Sequence, residues 1–271
     1  MENLYNIKDK VIVVTGAGGI LGGSISKSLS QFGAKIVVLD IKKENIDSQV
    51  HEIKAIGGSA AGFCCNVLDT NNLEEVSKKI VDKWGRVDVL INCTEGNVPD
   101  VASTTDQTIF DMQLEEWEKA VKLNQDCTIL PCLTFGKIMA QQKKGSIVNI
   151  LSMATYSALT LVPGYLVAKK GVDIFTKWLS AEMATKFGDE IRVNAIAPGF
   201  FITDQNRTIL LNPDGSLTEK SKMALAKTPM GRFGNIAELN GLVHFLCSDS
   251  ASFITGAIIP VDGGFSAFSG V

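Results

Sequence analysis

The stretch VIVVTGAGGILGGSISKSL, Val11 to Leu29, passes from four aliphatic residues through a glycine-rich turn into a helical pattern. Val11–Val14 carry no alternating polar residue, which is how a strand covered on both faces reads. Gly16, Gly18, Gly19, Gly22 and Gly23 then crowd the turn. Beyond it Ile25, Leu29 and Phe32 step along one helical face, and Gly33 is placed to end that helix.

The same alternation repeats along the chain. Further strand-like runs are KIVVLD (35–40), AAGFCCN (60–66), VDVLIN (87–92), SIVNI (146–150), IRVNAIA (191–197) and AIIPVDGG (257–264). Helical patterns lie between them, such as Leu73, Val76, Ile80 and Trp84 before Gly85. Strands alternating with helices predict βαβ units. The expected fold is therefore α/β: a doubly wound, mainly parallel seven-stranded sheet with helices on both faces, formed as one domain by residues 1–271. The connection from Pro198 to Gly234 is long for a compact fold and is expected to act as a lid, residues 198–234. Within it Ser216 and Glu219 have the spacing of a capping box.

Composition narrows the function. The 271 residues are 45% hydrophobic, and the net charge is -3, with no basic run. That argues against a nucleic-acid binder. The uncharged run Gly145–Ala168 is long enough to cross a bilayer. It contains Asn149, Pro163 and Gly164, so a strand, a loop and a helix start are expected, and no membrane partner. The start, MENLYNIKDK, has no apolar signal core, and a cytoplasmic location is expected. Cys64, Cys65, Cys93, Cys127, Cys132 and Cys247 form no CxxC, and buried reduced thiols are expected. The two histidines, His51 and His244, lie near no cysteine pair, so no metal site and no histidine triad is expected.

Glycines in a strand-to-helix turn let the backbone approach a pyrophosphate held at the helix N-terminus. Asp40 ends the second predicted strand, 24 residues after Gly16. An acid there accepts hydrogen bonds from ribose hydroxyls and repels a 2′-phosphate. No basic residue stands between Gly16 and Gly22, although Lys42 and Lys43 follow Asp40. The expected cofactor is NAD.

Further along, Tyr165 and Lys169 stand one helical turn apart, and Ser152 lies 13 residues before Tyr165. Together with the glycine turn, Asn92, Asn124 in VKLNQ and APGFFIT, these residues occur in the order typical of the short-chain dehydrogenase/reductase family, which the whole chain resembles, and the expected sheet is then of Rossmann type. SMATYSALTLVPGY, TPMGRFG and IPVDGGFSAFSGV are most similar to the branch called fructuronate reductases or mannonate oxidoreductases.

The resemblance implies the following roles. Tyr165 transfers a proton at the reacting oxygen. Lys169 favours its phenolate by about two to three pKa units and holds the nicotinamide ribose. Ser152 hydrogen-bonds the substrate oxygen, and Asn124 positions a water. Gly16, Gly18, Gly19, Leu21, Gly22, Asp40, Asn66, Val67, Asn92, Pro198, Phe201 and Thr203 join Tyr165 and Lys169 around the cofactor. Among these, Asn66 and Val67 meet the adenine, and Phe201 and Thr203 the carboxamide. A homodimer or homotetramer is implied, with the C-terminal segment helping to bury the interface.

The chain departs from the pattern after the fourth strand. The family's NNAG reads Asn92, Cys93, Thr94, Glu95, and Val98 and Leu161 stand where histidine and lysine are expected in this branch. Glu95 would face solvent or substrate, and Arg207 is the candidate to hold a substrate carboxylate. The expected activity is hydride transfer between NAD(H) and a sugar-acid or polyol carbonyl or hydroxyl. The alternatives are a neutral keto-sugar, an oxoacyl thioester, or an NAD-binding regulatory protein without turnover. A methyltransferase fits less well, because it has no need of Ser152, Tyr165 and Lys169 together.

Overall fold

A computed structural model describes residues 4–96, 108–157, 159, 162–203 and 206–269. Seven parallel strands form one sheet in the order β3-β2-β1-β4-β5-β6-β7. They are β1 (Val11–Thr15), β2 (Lys35–Asp40), β3 (Ser59–Cys64), β4 (Val89–Asn92), β5 (Gly145–Ile150), β6 (Ile191–Pro198) and β7 (Ile258–Val261). Each predicted run became a strand, with ends matching or shifted by at most three residues.

Side chains alternate across the central strands, so each strand feeds two cores. Ile12 and Val14 of β1 join a cluster with Ile25 and Leu29 of α1 (Ile20–Gln31), Ile46 and Ile53 of α2 (Lys43–Ala55), and Val243 and Leu246 of a helix near the C-terminus. Val11 and Val13 join the opposite cluster. There they meet Leu73, Val76 and Ile80 of α3 (Thr70–Trp84), and Phe135 and Met139 of a helix before β5. Apolar surface of this kind contributes roughly 25 cal/mol per Å² buried. Asp69 caps α3 by accepting the Asn71 and Asn72 N–H groups, and Gly85 ends it at φ 74°.

The remaining helices are α4 (Leu114–Val121), α5 (Cys127–Gln142), α6 (Pro163–Lys186), α7 (Arg207–Leu210), α8 (Glu219–Ala226) and α9 (Asn240–Cys247). The described residues of the uncharged run at 145–168 include β5, a 3-10 turn at Met153–Thr155 and the start of α6. Among the described residues, no helix is long and apolar enough to cross a membrane.

Four local expectations need correction. Phe32 is not on the buried face of α1. It caps that helix, is exposed, and packs edge-on against His244 at 4.3 Å. The last helical turn has already swung it off the sheet. β3 is an edge strand, largely uncovered rather than buried on both faces. The capping residue of α8 is Thr218, whose side chain accepts the Ser221 N–H, while Ser216 turns back to Asp214. Finally, not every cysteine is buried: all six are free, but Cys64 is exposed and Cys93 half-buried.

Candidate active site

Chain order reverses between β1 and β4, so the loops leaving these neighbouring strands diverge. Every strand is parallel, and the ends of β1, β4, β5 and β6 therefore open on the same edge of the sheet. Gly16 sits at the divergence with φ 62°. A Cβ there would come within 3.0 Å of Cys93 O and the Thr94 backbone. Only glycine lets the two loops touch in this way.

The candidate catalytic side chains come from the end of β5 and from α6. Ser152 follows β5, and its Oγ accepts the Ala154 N–H at 3.2 Å, opening a tight turn. Pro163 starts α6, its missing N–H being one the first helical turn does not use. Tyr165 and Lys169 then lie on successive turns. The Ser152 hydroxyl hydrogen-bonds the Tyr165 phenol. Lys169 is 1% exposed, and its Nζ donates to Ile150 O at 3.1 Å and lies 5.6 Å from the centre of the Tyr165 ring.

The Lys169 ammonium has a second partner. Glu95 Oε2 lies 3.0 Å from Lys169 Nζ. The carboxylate, 29% exposed, is thus held in an ion pair. It reaches across the cleft from the β4 loop to α6. This pair changes the electrostatics expected for the phenol. Burial, then the Glu95 charge, push the Tyr165 hydroxyl up to about 12, outweighing Lys169 and Ser152, which act the other way. Lys169 favours the phenolate as expected, but burial first and Glu95 second outweigh it, so the net effect on the phenol is upward. Burial works against the charge on Lys169 itself, yet Glu95 and Tyr165 hold its pKa above the ordinary lysine value.

The β4 loop that carries Glu95 is pinned on both sides. Thr15 Oγ1 accepts the Cys93 and Thr94 N–H groups at 3.2 and 3.4 Å. Cys127 Sγ donates to Thr94 O at 3.0 Å. Asn124 grips Gly96, accepting its N–H at 3.4 Å and donating to its carbonyl at 3.1 Å. Asn124 stands in a π-helical turn, Lys122–Asp126, where one extra residue in the coil turns its amide toward the loop. A second donation, to Ala120 O at 3.0 Å, completes its bonds. Its side-chain amide is thereby engaged by the loop and its own helix.

A dinucleotide fits the glycine turn. The N-cap of α1, Gly19, gives no side-chain cap, and no acidic residue stands in the first turn, which leaves the positive end of the helix open to a phosphate. A Cβ on Gly18 would fall 2.8 Å from Asp40 Oδ2, and one on Gly22 would fall 2.5 Å from Gly16 O. Asp40 ends β2 beside the turn and accepts the Gly18 N–H at 3.1 Å. A dinucleotide held by these residues would supply or accept a hydride. Leu21 packs partly against the core under the turn. Pro198 is the last residue of β6, on the same open edge. Asn66 is exposed after β3, with Val67 buried next to it.

At three of the expected cofactor contacts a group is already engaged within the protein. The Asn92 side chain donates to Asn149 Oδ1 at 2.9 Å inside the sheet, and Asn149 passes the chain on to Thr176. The Phe201 ring is buried in the core and packs over Gly234, where a Cβ would overlap it. The Thr203 N–H is taken by Asn206 Oδ1 at 2.8 Å. Arg207 is exposed at the start of α7 and makes no ion pair among the described residues. Val98 and Leu161 lie outside the described residues. Thr15 and Cys127 carry no motif signal, and only the loop contacts disclose them. Ile150 lends only its carbonyl.

Comparison with known proteins agrees with this geometry. Residues 16–266 match a family model described as enoyl-(acyl carrier protein) reductase. An uncharacterized oxidoreductase UxuB of Bacillus subtilis is 38% identical, the match covering 98% of each chain. A 3-oxoacyl-[acyl-carrier-protein] reductase FabG of Thermotoga maritima is 34% identical over 95% of this chain and 98% of its own. A Haemophilus influenzae crystal structure with bound NAD, provisionally assigned as a D-mannonate oxidoreductase, superposes with a TM-score of 0.91 at 38% identity, covering 98% of each chain. The tyrosine–lysine helix, the glycine turn and these likenesses lead to one conclusion: the chain belongs to the short-chain dehydrogenase/reductase family and is an NAD(P)-dependent oxidoreductase.

Proposed function

We propose that the protein transfers a hydride between NAD(H) and a carbonyl or hydroxyl of a sugar acid of the fructuronate–mannonate kind. The observation that carries the cofactor choice is Asp40 at the rim of the glycine turn, where a 2′-phosphate would meet a carboxylate. The substrate class draws on the Haemophilus influenzae likeness across 98% of the chain. Glu95 does not oppose an anionic substrate, because its charge is already met by Lys169.

In this scheme Ser152 holds the reacting oxygen and Tyr165 gives it a proton during reduction, or takes one during oxidation. Lys169, anchored by Ile150 O, keeps one N–H direction for a ribose hydroxyl. Residues 198–234 act as a lid, with Arg207 on α7 as the cation for the substrate carboxylate. Two or four copies assemble, using the half-exposed β7 edge and the segment after it.

The test is NADH oxidation, followed by absorbance, against a panel of keto-sugar acids, neutral keto-sugars and oxoacyl thioesters. Turnover of the sugar acids with NADH supports the proposal. A preference for thioesters with NADPH sinks it in favour of the second reading, which the Thermotoga maritima likeness favours.

A further inference from the structure

We propose that Glu95 is a positioning residue that locks Lys169 into a neutral ion pair, keeps the Tyr165 hydroxyl protonated and thereby moves the oxidation direction to alkaline pH. The inference rests on the dehydrogenase reading of the site and not on the sugar-acid assignment.

The geometry is over-determined. Lys169 is buried, and Glu95 Oε2 is 3.0 Å from its Nζ. The carboxylate is held there by a loop fastened at Cys93, Thr94 and Gly96 by Thr15, Cys127 and Asn124. A flexible surface glutamate would lose side-chain entropy on forming this contact, but here the loop has already placed it.

The chemistry follows from charge. During reduction the carbonyl carbon gains a hydride, its oxygen takes the Tyr165 proton, and the phenolate is reprotonated from solvent. During oxidation the substrate hydroxyl gives its proton to a Tyr165 phenolate while its carbon gives up a hydride. Oxidation therefore needs the phenolate in place beforehand, and reduction needs the phenol. A lone ammonium beside the ring would favour the phenolate. An ammonium paired with a carboxylate offers almost no net charge, and the carboxylate disfavours a second anion nearby. The ionisable groups facing the phenol are Glu95 from the β4 loop, Lys169 from α6 and Cys127 from α5, with the Ser152 hydroxyl alongside. Burial pushes the Cys127 thiol up to about 11 and the Cys93 thiol up as well, so both stay neutral. Burial is the largest influence on the phenol, and Glu95 and Lys169 set the balance of charge beside it.

The chain has three tyrosines, Tyr5, Tyr156 and Tyr165, so phenol ionisation can be read by ultraviolet difference absorbance without any substrate. Subtracting the curve of a Tyr165→Phe protein isolates Tyr165. In the Glu95→Gln protein the Tyr165 midpoint should fall by about one pH unit or more, a tenfold change in proton affinity. Coincident midpoints in the native and Glu95→Gln proteins overturn the proposal. Glu95→Gly serves as the second variant if Glu95→Gln does not fold, with folding checked by thermal unfolding. With a working substrate, the acid limb of kcat/KM for oxidation and the alkaline limb for reduction should both move down by the same amount. A change in KM with both limbs unmoved shows a merely structural role and also overturns it. If no sugar acid turns over while the Tyr165 midpoint still falls, the substrate assignment fails and the role of Glu95 stands.

Discussion

The Gly18 N–H donates to Asp40 Oδ2 at 3.1 Å, tying the rim of the phosphate turn to the end of the neighbouring strand. The Lys42 N–H binds the other carboxylate oxygen at 3.0 Å, so the side chain is held from both sides. Under the proposed cofactor choice, a fixed carboxylate at this rim would repel a 2′-phosphate without having to move. In Asp40→Ala the ratio of kcat/KM for NADH over NADPH should fall at least tenfold. Steady-state kinetics with both cofactors checks this, and an unaltered ratio would remove Asp40 from cofactor choice.

Tyr165→Phe should lose at least a thousandfold in kcat, within the range a general acid contributes together with orientation. NADH should still bind, as followed by its fluorescence, because the ring remains. Burial and Glu95 hold the native phenol up to about 12. The acidic form is the one reduction needs, so kcat/KM for reduction should stay flat through neutral pH and fall only in strongly alkaline solution. A fall centred near neutrality in the native protein would contradict this.

Arg207 leads α7 with its side chain exposed and no carboxylate bound among the described residues. Arg207→Ala should raise KM for a sugar acid at least tenfold and leave KM for a neutral keto-sugar within twofold. Equal effects on the two substrates would show that the arginine does not read the carboxylate.

Gly22 has no room for a side chain, since a Cβ would lie 2.5 Å from Gly16 O and 2.9 Å from Ala17 Cα. Both obstacles are backbone, which cannot swing aside. Gly22→Ala should cost about 1–3 kcal/mol of stability through overpacking. Thermal unfolding should register the loss, and NADH titration should show weaker binding, because relief of the clash deforms the phosphate turn. Unchanged melting and affinity would mean that the turn yields freely.

The sequence by itself determined the sheet. Runs such as KIVVLD and IRVNAIA are too apolar for any place but a covered strand, and β2 begins and ends where its run does. The glycine turn, Asp40 and the Ser152–Tyr165–Lys169 order were also legible, because each depends on spacing within a strand, a turn or a helix. What only the tertiary structure decided are the contacts between segments distant in sequence. Nothing local to Glu95 tells it to pair with Lys169, because their meeting depends on β4 lying beside β5 and on α6 packing against β6, the next strand. The same is true of the Asn124 amide, which its π-helical turn sends to Gly96, and of the Asn92 amide, drawn inward by Asn149. Periodicity records which face of an element is apolar. It carries no information about which polar group from another element will be waiting there, and beside a buried tyrosine that partner adds to the effect of burial on its ionisation.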